Sequence, residues 1–299
     1  MKQLVFIHGR AQENKDAQAL KDEWIEAWRS GLRKSGLDLP LDVSLIRFPY
    51  YGDTLAQLAD GLTDSQAADV VVKGLGATDQ NLDTEQREFI RKVLLEVQKL
   101  RGASDEQLAQ SAGADVLEKG PLNWEWFQAI LKAIDQHVPF ASGVSIALAT
   151  RDVYQYLDNV GIRDTIETGV RQALPADSTS VIVAHSLGTV VTYNLLRREG
   201  TAQRWNVPLL VTLGSPLAVT AIRGKLKPLK HPECVQHWYN AMDERDVVAL
   251  YPLDSNHFPI DPNIENKTDI ENFTTNRHGI AGYLSDAVVA RRIYDALMP

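Results

Sequence analysis

One serine stands in a context that would make it reactive. The segment Ser180-Val181-Ile182-Val183-Ala184-His185-Ser186-Leu187-Gly188 carries a β-branched run into Ser186, and the helical pattern Val190, Val191, Leu195, Leu196 follows. A strand that turns sharply into a helix through small-x-Ser-x-small exposes the serine hydroxyl on a strained turn. Residues two before and two after must be small so that strand and helix can approach; Ala184 stands where Gly is more usual, and a methyl is tolerated there. The helix N-terminus then aims free amides and a positive dipole end at the reaction centre, which favours an oxyanion. A five-residue pattern arises often by chance, so the weight rests on its position directly after a buried strand.

A second segment complements the first. Leu4-Val5-Phe6-Ile7 is an apolar run that leads straight into His8-Gly9-Arg10. Stabilising an oxyanion takes two N–H groups converging on one point, and by position these are the amides of Leu187 and Arg10. Gly9 lets the loop come close without a side chain in the way. His8, immediately before that glycine, reads as a hydrogen-bonded structural residue and not as a base.

The elements that must hold these segments can be read from hydrophobic periodicity. Strand-length apolar runs occur at Leu4 to Ile7, Val43 to Phe48, Ser180 to Ala184, Leu209 to Leu213 and Val235 to Asn240. Most are continuous, which suits strands covered on both faces, as in a parallel sheet. Helical patterns alternate with them: Leu20, Trp24, Ile25, Trp28 and Leu32, then Ile166, Val170 and Leu174. The class is therefore α/β with right-handed crossovers. From Thr54 to about Val160 helical stripes occur without a convincing strand, one through Phe89, Ile90, Val93, Leu94, Val97 and Leu100, another through Trp124, Phe127, Ile130, Leu131 and Ile134. The stretch Gly102 to Gly120, rich in Ala, Gly, Ser, Asp and Gln, reads as a mobile connection. Two readings of the interval stand, a cap that shapes a substrate pocket and an added scaffold.

A serine nucleophile needs a base and an acid to orient it. Asp243 and Asp246 lie in a loop after the run beginning at His237, and His257 and His278 follow them. With these in view, Val5-Phe6-Ile7-His8-Gly9, Ala184-His185-Ser186-Leu187-Gly188, Leu213-Gly214-Ser215-Pro216, the Asp243/Asp246 loop and His278-Gly279 resemble the α/β-hydrolase superfamily in its lipase/esterase-like branch. The resemblance covers residues 1–53 and 161–299 and leaves 54–160 as an inserted helical cap. It implies an α/β-hydrolase fold with a shortened, mostly parallel sheet flanked by helices, since the chain opens on the strand carrying His-Gly. It implies the order serine, acid, histidine. His278, on a loop opening the last amphipathic helix with Ile280, Tyr283, Leu284, Val288 and Ile293 on its apolar side, is then the base. Asp246, directly before Val247-Val248, is the acid, with Asp243 as the alternative. His257 between Asp254 and Asp261 admits a metal reading, although a Pro-containing surface loop commonly has that composition.

The implied chemistry is that of a serine hydrolase acting on carboxylic esters, with lipid or acyl esters as the narrower reading, through an acyl-enzyme. No metal or organic cofactor is required. A thioesterase or peptidase would use the same residues, and a non-catalytic ligand-binding or protein-binding module is the reading from another class. Tyr50, Tyr51, Trp124, Trp126 and Phe127 could line an acyl pocket, though such spacings are more often core. Arg10 could attract an anionic head group, though an exposed surface arginine is the commoner case.

Composition narrows the partners. The chain has 299 residues, 44% hydrophobic and 23% charged, enough for a buried core without staples. Its formal charge of −8 and the lack of a basic block speak against nucleic acid. The single Cys234 fits a reducing compartment and reads as a small, partly buried side chain. No apolar stretch approaches the ~20 residues of a membrane span, which leaves at most transient contact with a membrane surface, and the N-terminal apolar run is far shorter than the ~7–15 residues of a signal-peptide core. The expectation is a cytoplasmic protein that acts on a small-molecule or lipid ester.

Overall fold

The computed structural model describes residues 2–10, 16–52, 84–101, 124–176 and 178–298, with the side chains of 124–127 outside that description. Its elements are β1 (Lys2–Ile7), α1 (Ala17–Arg33), β2 (Ile46–Arg47), α2 (Thr84–Arg101), α3 (Trp124–His137), α4 (Gly143–Asp158), α5 (Val160–Ala173), β3 (Thr179–His185), α6 (Leu187–Glu199), β4 (Val207–Leu213), α7 (Thr220–Lys225), β5 (Val235–Ala241), β6 (Glu265–Lys267), α8 (Ile280–Leu284) and α9 (Ala287–Leu297).

The strands form one six-stranded sheet in the order β2-β1-β3-β4-β5-β6, every pair parallel. Continuous apolar strands require cover on both faces, and both faces are covered. Val5, Ile7, Ile182, Ala184 and Leu210 point into one cluster together with α2 to α7. Leu4, Phe6, Val181, Val183, Leu209 and Val211 point into the other, against α1, α8 and α9. Trp28 of α1, fully buried, donates its indole N–H to Ala290 O of α9 at 3.1 Å. Side chains of this size contribute about 1.5–3 kcal/mol each on full burial, so the second layer is firmly held. The expected α/β class with a mainly parallel sheet and flanking helices is observed.

The described part of the interval 54–160 consists of the helices α2, α3 and α4 and the short connections at 138–142 and 159, with no strand among the described residues. Phe89, Ile90, Val93, Leu94 and Val97 of α2 and Ile130 and Ile134 of α3 are buried in the same cluster as the sheet face. The stretch Gly102 to Gly120 falls outside the described residues, as do residues 53–83.

Two sequence expectations need correction, and one strand was not read from the sequence at all. Val43 to Phe48 is not one strand: Asp42 accepts a hydrogen bond from Ser44 N at 2.8 Å and caps a 3₁₀ turn, Val43–Leu45, leaving only Ile46–Arg47 extended. The last helix is two. Asp286 caps α9 through bonds from Val288 N and Val289 N, both 2.9 Å, so the helical phase restarts and Val288 faces solvent. Finally, β6 has no apolar signal at all in Glu265-Asn266-Lys267; it exists because β5 offers it an edge and Asn240 donates to Asn266 Oδ1 at 2.9 Å.

Candidate active site

The sheet order changes direction at β1, whose neighbours are β2 on one side and β3 on the other, and the crevice at the carboxyl ends of strands beside such a switch is where open α/β sheets bind ligands. Ser186 ends β3 there, with φ 55° and ψ −128°. A non-glycine residue in that region costs about 1–3 kcal/mol unless its surroundings fix it. Here Ser186 N donates to Leu213 O at 3.1 Å, while Ser186 O accepts from Thr189 N at 2.9 Å and from the Thr189 hydroxyl at 2.7 Å. The small residues around the turn are required: a Cβ on Gly188 would come within 2.5 Å of the carbonyl oxygens of Ile7 and His8, and one on Gly9 within 2.7 Å of Ser186 Cβ. The β1 loop and the serine turn are thus pressed together, and Arg10, Ser186 and Leu187 line one cavity.

Ser186, His278 and Asp246 are brought together. Ser186 Oγ lies 2.9 Å from His278 Nε2, and His278 Nδ1 lies 2.7 Å from Asp246 Oδ2. Because the carboxylate only accepts, Nδ1–H donates to it and Nε2 is left to accept the serine proton. Asp246 is fully buried, which opposes its charge. The positive end of His278, the bonds from His278 and from the Tyr283 hydroxyl (2.6 Å), and the Val248 amide (2.8 Å) outweigh that and hold the carboxyl below its ordinary range. Ala249 N adds a further donor at 3.3 Å.

Asp243 is not against the histidine. It is buried, accepts from Arg245 N at 2.7 Å and Asn272 N at 2.9 Å, and so staples the acid loop to the segment that precedes His278. His8 accepts from Tyr51 N at 3.1 Å through Nε2 and stacks on the Tyr51 ring at 4.0 Å, so it is structural, as expected. Arg10 is not an exposed surface arginine: its side chain is 17% exposed and its Nε is 2.6 Å from Asp152 Oδ2 of α4. His257 pairs with Asp254 at 2.8 Å and stacks on Tyr251 at 4.6 Å; among the described residues no group of three or more metal-ligating side chains gathers. Tyr51 is buried under His8 and Tyr50 packs on the α1 side of the sheet, so neither lines a cavity at Ser186. The side chains of Trp124, Trp126 and Phe127 fall outside the described residues. Cys234 is half-buried, its thiol pushed up to about 11 by burial.

Three contacts have no sequence signature. Tyr283 reads as one more apolar residue on a stripe, yet its hydroxyl is bonded to Asp246. His185 sits inside the serine motif, and its Nε2–H donates to His278 O at 2.7 Å; burial first and the neighbouring His278 second push its imidazole down to about 3, so it is neutral. Arg101, the last residue of α2, donates to Asp246 O at 3.0 Å and also to Glu244 O, tying the inserted helix to the acid loop. Geometry of this kind can relay a proton from a hydroxyl to an imidazole beside a carboxylate.

No family model and no curated protein matches this chain. Among the described residues, no helix is long and apolar enough to cross a membrane.

Proposed function

We propose that this protein is a serine hydrolase of α/β-hydrolase type that cleaves carboxylic esters in the cytoplasm. The observation that carries the reading is the unbroken hydrogen-bond path from Ser186 to His278 to Asp246, at 2.9 and 2.7 Å, with the serine on a strained turn between β3 and α6. Ser186 Oγ attacks the ester carbonyl carbon as His278 Nε2 takes its proton. The oxygen that gains the negative charge faces the amides of Leu187 and Arg10. Collapse breaks the bond to the alcohol, which leaves with the proton from His278. Water then attacks the acyl-enzyme, gives a proton to His278 and releases the acid, and the proton returns to Ser186. Asp246 stays ionised throughout and holds the imidazole in the required tautomer.

The test is labelling with a fluorophosphonate probe. Modification of Ser186 in the wild type and none in Ser186→Ala, with unchanged thermal unfolding, is the expected result. Folded wild-type protein that takes no label would remove the nucleophile from the proposal.

A further inference from the structure

Two cavities meet at Ser186, and they differ in the one residue that decides which half of an ester each receives. The first, a wide cleft of about 670 Å³, is lined by His278 as well as Ser186 and Gly9. The second, a narrow slot of about 20 Å³ that shares Ile146, Ala149, Val247 and Val248 with the cleft, is lined by Ser186 and Leu187 but not by His278. A departing alcohol must take its proton from the base, so it leaves on the side of His278. The acyl chain is left with the slot.

The slot admits very little. At about 20 Å³ against about 670 Å³ for the cleft, the slot suits only a short acyl group. Its walls among the described residues include Ile146 and Val153 of α4, Val219 and Ile222 at α7, and Val247 and Val248 after the acid. Ile146, Val153, Val219 and Ile222 are each under 5% exposed, and branched side chains packed this closely do not yield easily. The Thr150 hydroxyl, also on this wall, is spent on Ile146 O at 2.7 Å, and Arg10, which lines the slot as well, has its Nε turned to Asp152 Oδ2 at 2.6 Å, so the slot is walled mainly by apolar side chains. The cleft is larger and of mixed character: Glu23, Ser145, Thr275 and Asn276 stand along it beside the rings of Trp24 and Phe140, and its volume suits a whole small molecule.

We propose that the substrate is an ester of acetic or propionic acid with a large, polyhydroxylated alcohol, an inference that rests on Ser186 being the nucleophile. The slot selects the acid and the cleft receives the alcohol.

The experiment measures kcat/KM for p-nitrophenyl acetate, propionate, butyrate and octanoate, and then for 6-O-acetylglucose against hexyl acetate. Each methylene beyond propionate is expected to lower kcat/KM about tenfold or more. The sugar ester is expected to exceed hexyl acetate. Ile146→Ala and, as a second variant on the same wall, Val153→Ala should raise the butyrate-to-acetate ratio, whereas Ala149→Leu should lower the propionate-to-acetate ratio; thermal unfolding of each variant checks that it folds. Octanoate hydrolysed as fast as acetate, hexyl acetate preferred to the sugar ester, or labelling of Ser186 without hydrolysis of any acetate would overturn the inference while leaving the nucleophile intact. Absence of both label and hydrolysis would overturn the nucleophile and the inference together.

Discussion

On the His278 side of Ser186 the polar atoms are held from several directions at once, whereas on the Leu187 side the walls are mainly aliphatic side chains from α4, α7 and two loops, positioned chiefly by packing. Four donors converge on Asp246 and a buried neutral histidine fixes the backbone of His278. Fixed hydrogen bonds define atoms to fractions of an ångström, which proton transfer needs. Packing defines a volume, which selection among acyl groups needs. Substitutions on the two sides should therefore fail in different ways.

The largest separation is expected between the two buried aspartates. Asp246→Asn should lower kcat about 10⁴-fold with the fold retained, because the wrong tautomer of His278 is then favoured. Asp243→Asn should instead lower stability by about 1–3 kcal/mol in urea unfolding and leave most activity, since its partners are two backbone amides and the side chains of Arg245 and Arg277, and not the base. Equal losses of kcat in both variants would erase the distinction. Gly9→Ala should come next: its methyl would press on Ser186 and displace the Arg10 amide, and removal of one oxyanion donor costs about 10²–10³-fold, readable as the rate of fluorophosphonate labelling.

Tyr283→Phe probes the rigid side more finely. It removes one donor from the oxygen that also holds His278, so the remaining attraction between Asp246 and a protonated His278 strengthens. The acid limb of the rate profile should move to higher pH, with kcat about tenfold lower; an unchanged profile with reduced stability would make the hydroxyl merely structural. Other charged or titratable groups near this pair are His185, Asp243, Arg101 and Arg277, and none of them changes in the variant. The smallest effect concerns His185. Its folded imidazole is pushed down to about 3, whereas unfolded histidine titrates near 6.5, so as pH falls below about 6.5 the unfolded chain binds a proton that the folded chain does not. Stability should decline by up to about 1.4 kcal/mol per pH unit, and His185→Gln should flatten that slope in urea midpoints measured between pH 6.5 and 4.5.

Four strands, β1, β3, β4 and β5, were legible because parallel strands buried on both faces are largely apolar, and the serine turn was legible because close backbone approach demands small residues at fixed spacing. What stayed hidden depends on partners distant in sequence. Asp243 and Asp246 have the same side chain in the same loop, and only the position of Tyr283 and His278 tells them apart. Arg10 reads as a surface residue until Asp152 of α4 is seen beside it. β6 is polar throughout, and Ser285-Asp286 interrupts an apolar stripe whose period alone would carry one helix across both α8 and α9.

The sheet order has a consequence for how the chain reaches this state. β1 forms its longest pairing with β3, and Gln3 Nε2 meets Ser180 Oγ at 2.9 Å across a separation of 177 residues. During synthesis at about 5–20 residues per second, the segment that brings Arg10 to the serine turn therefore waits many seconds for its main neighbour. Such a delay leaves an apolar strand edge uncovered in the nascent chain, where chaperones act and where aggregation competes with folding.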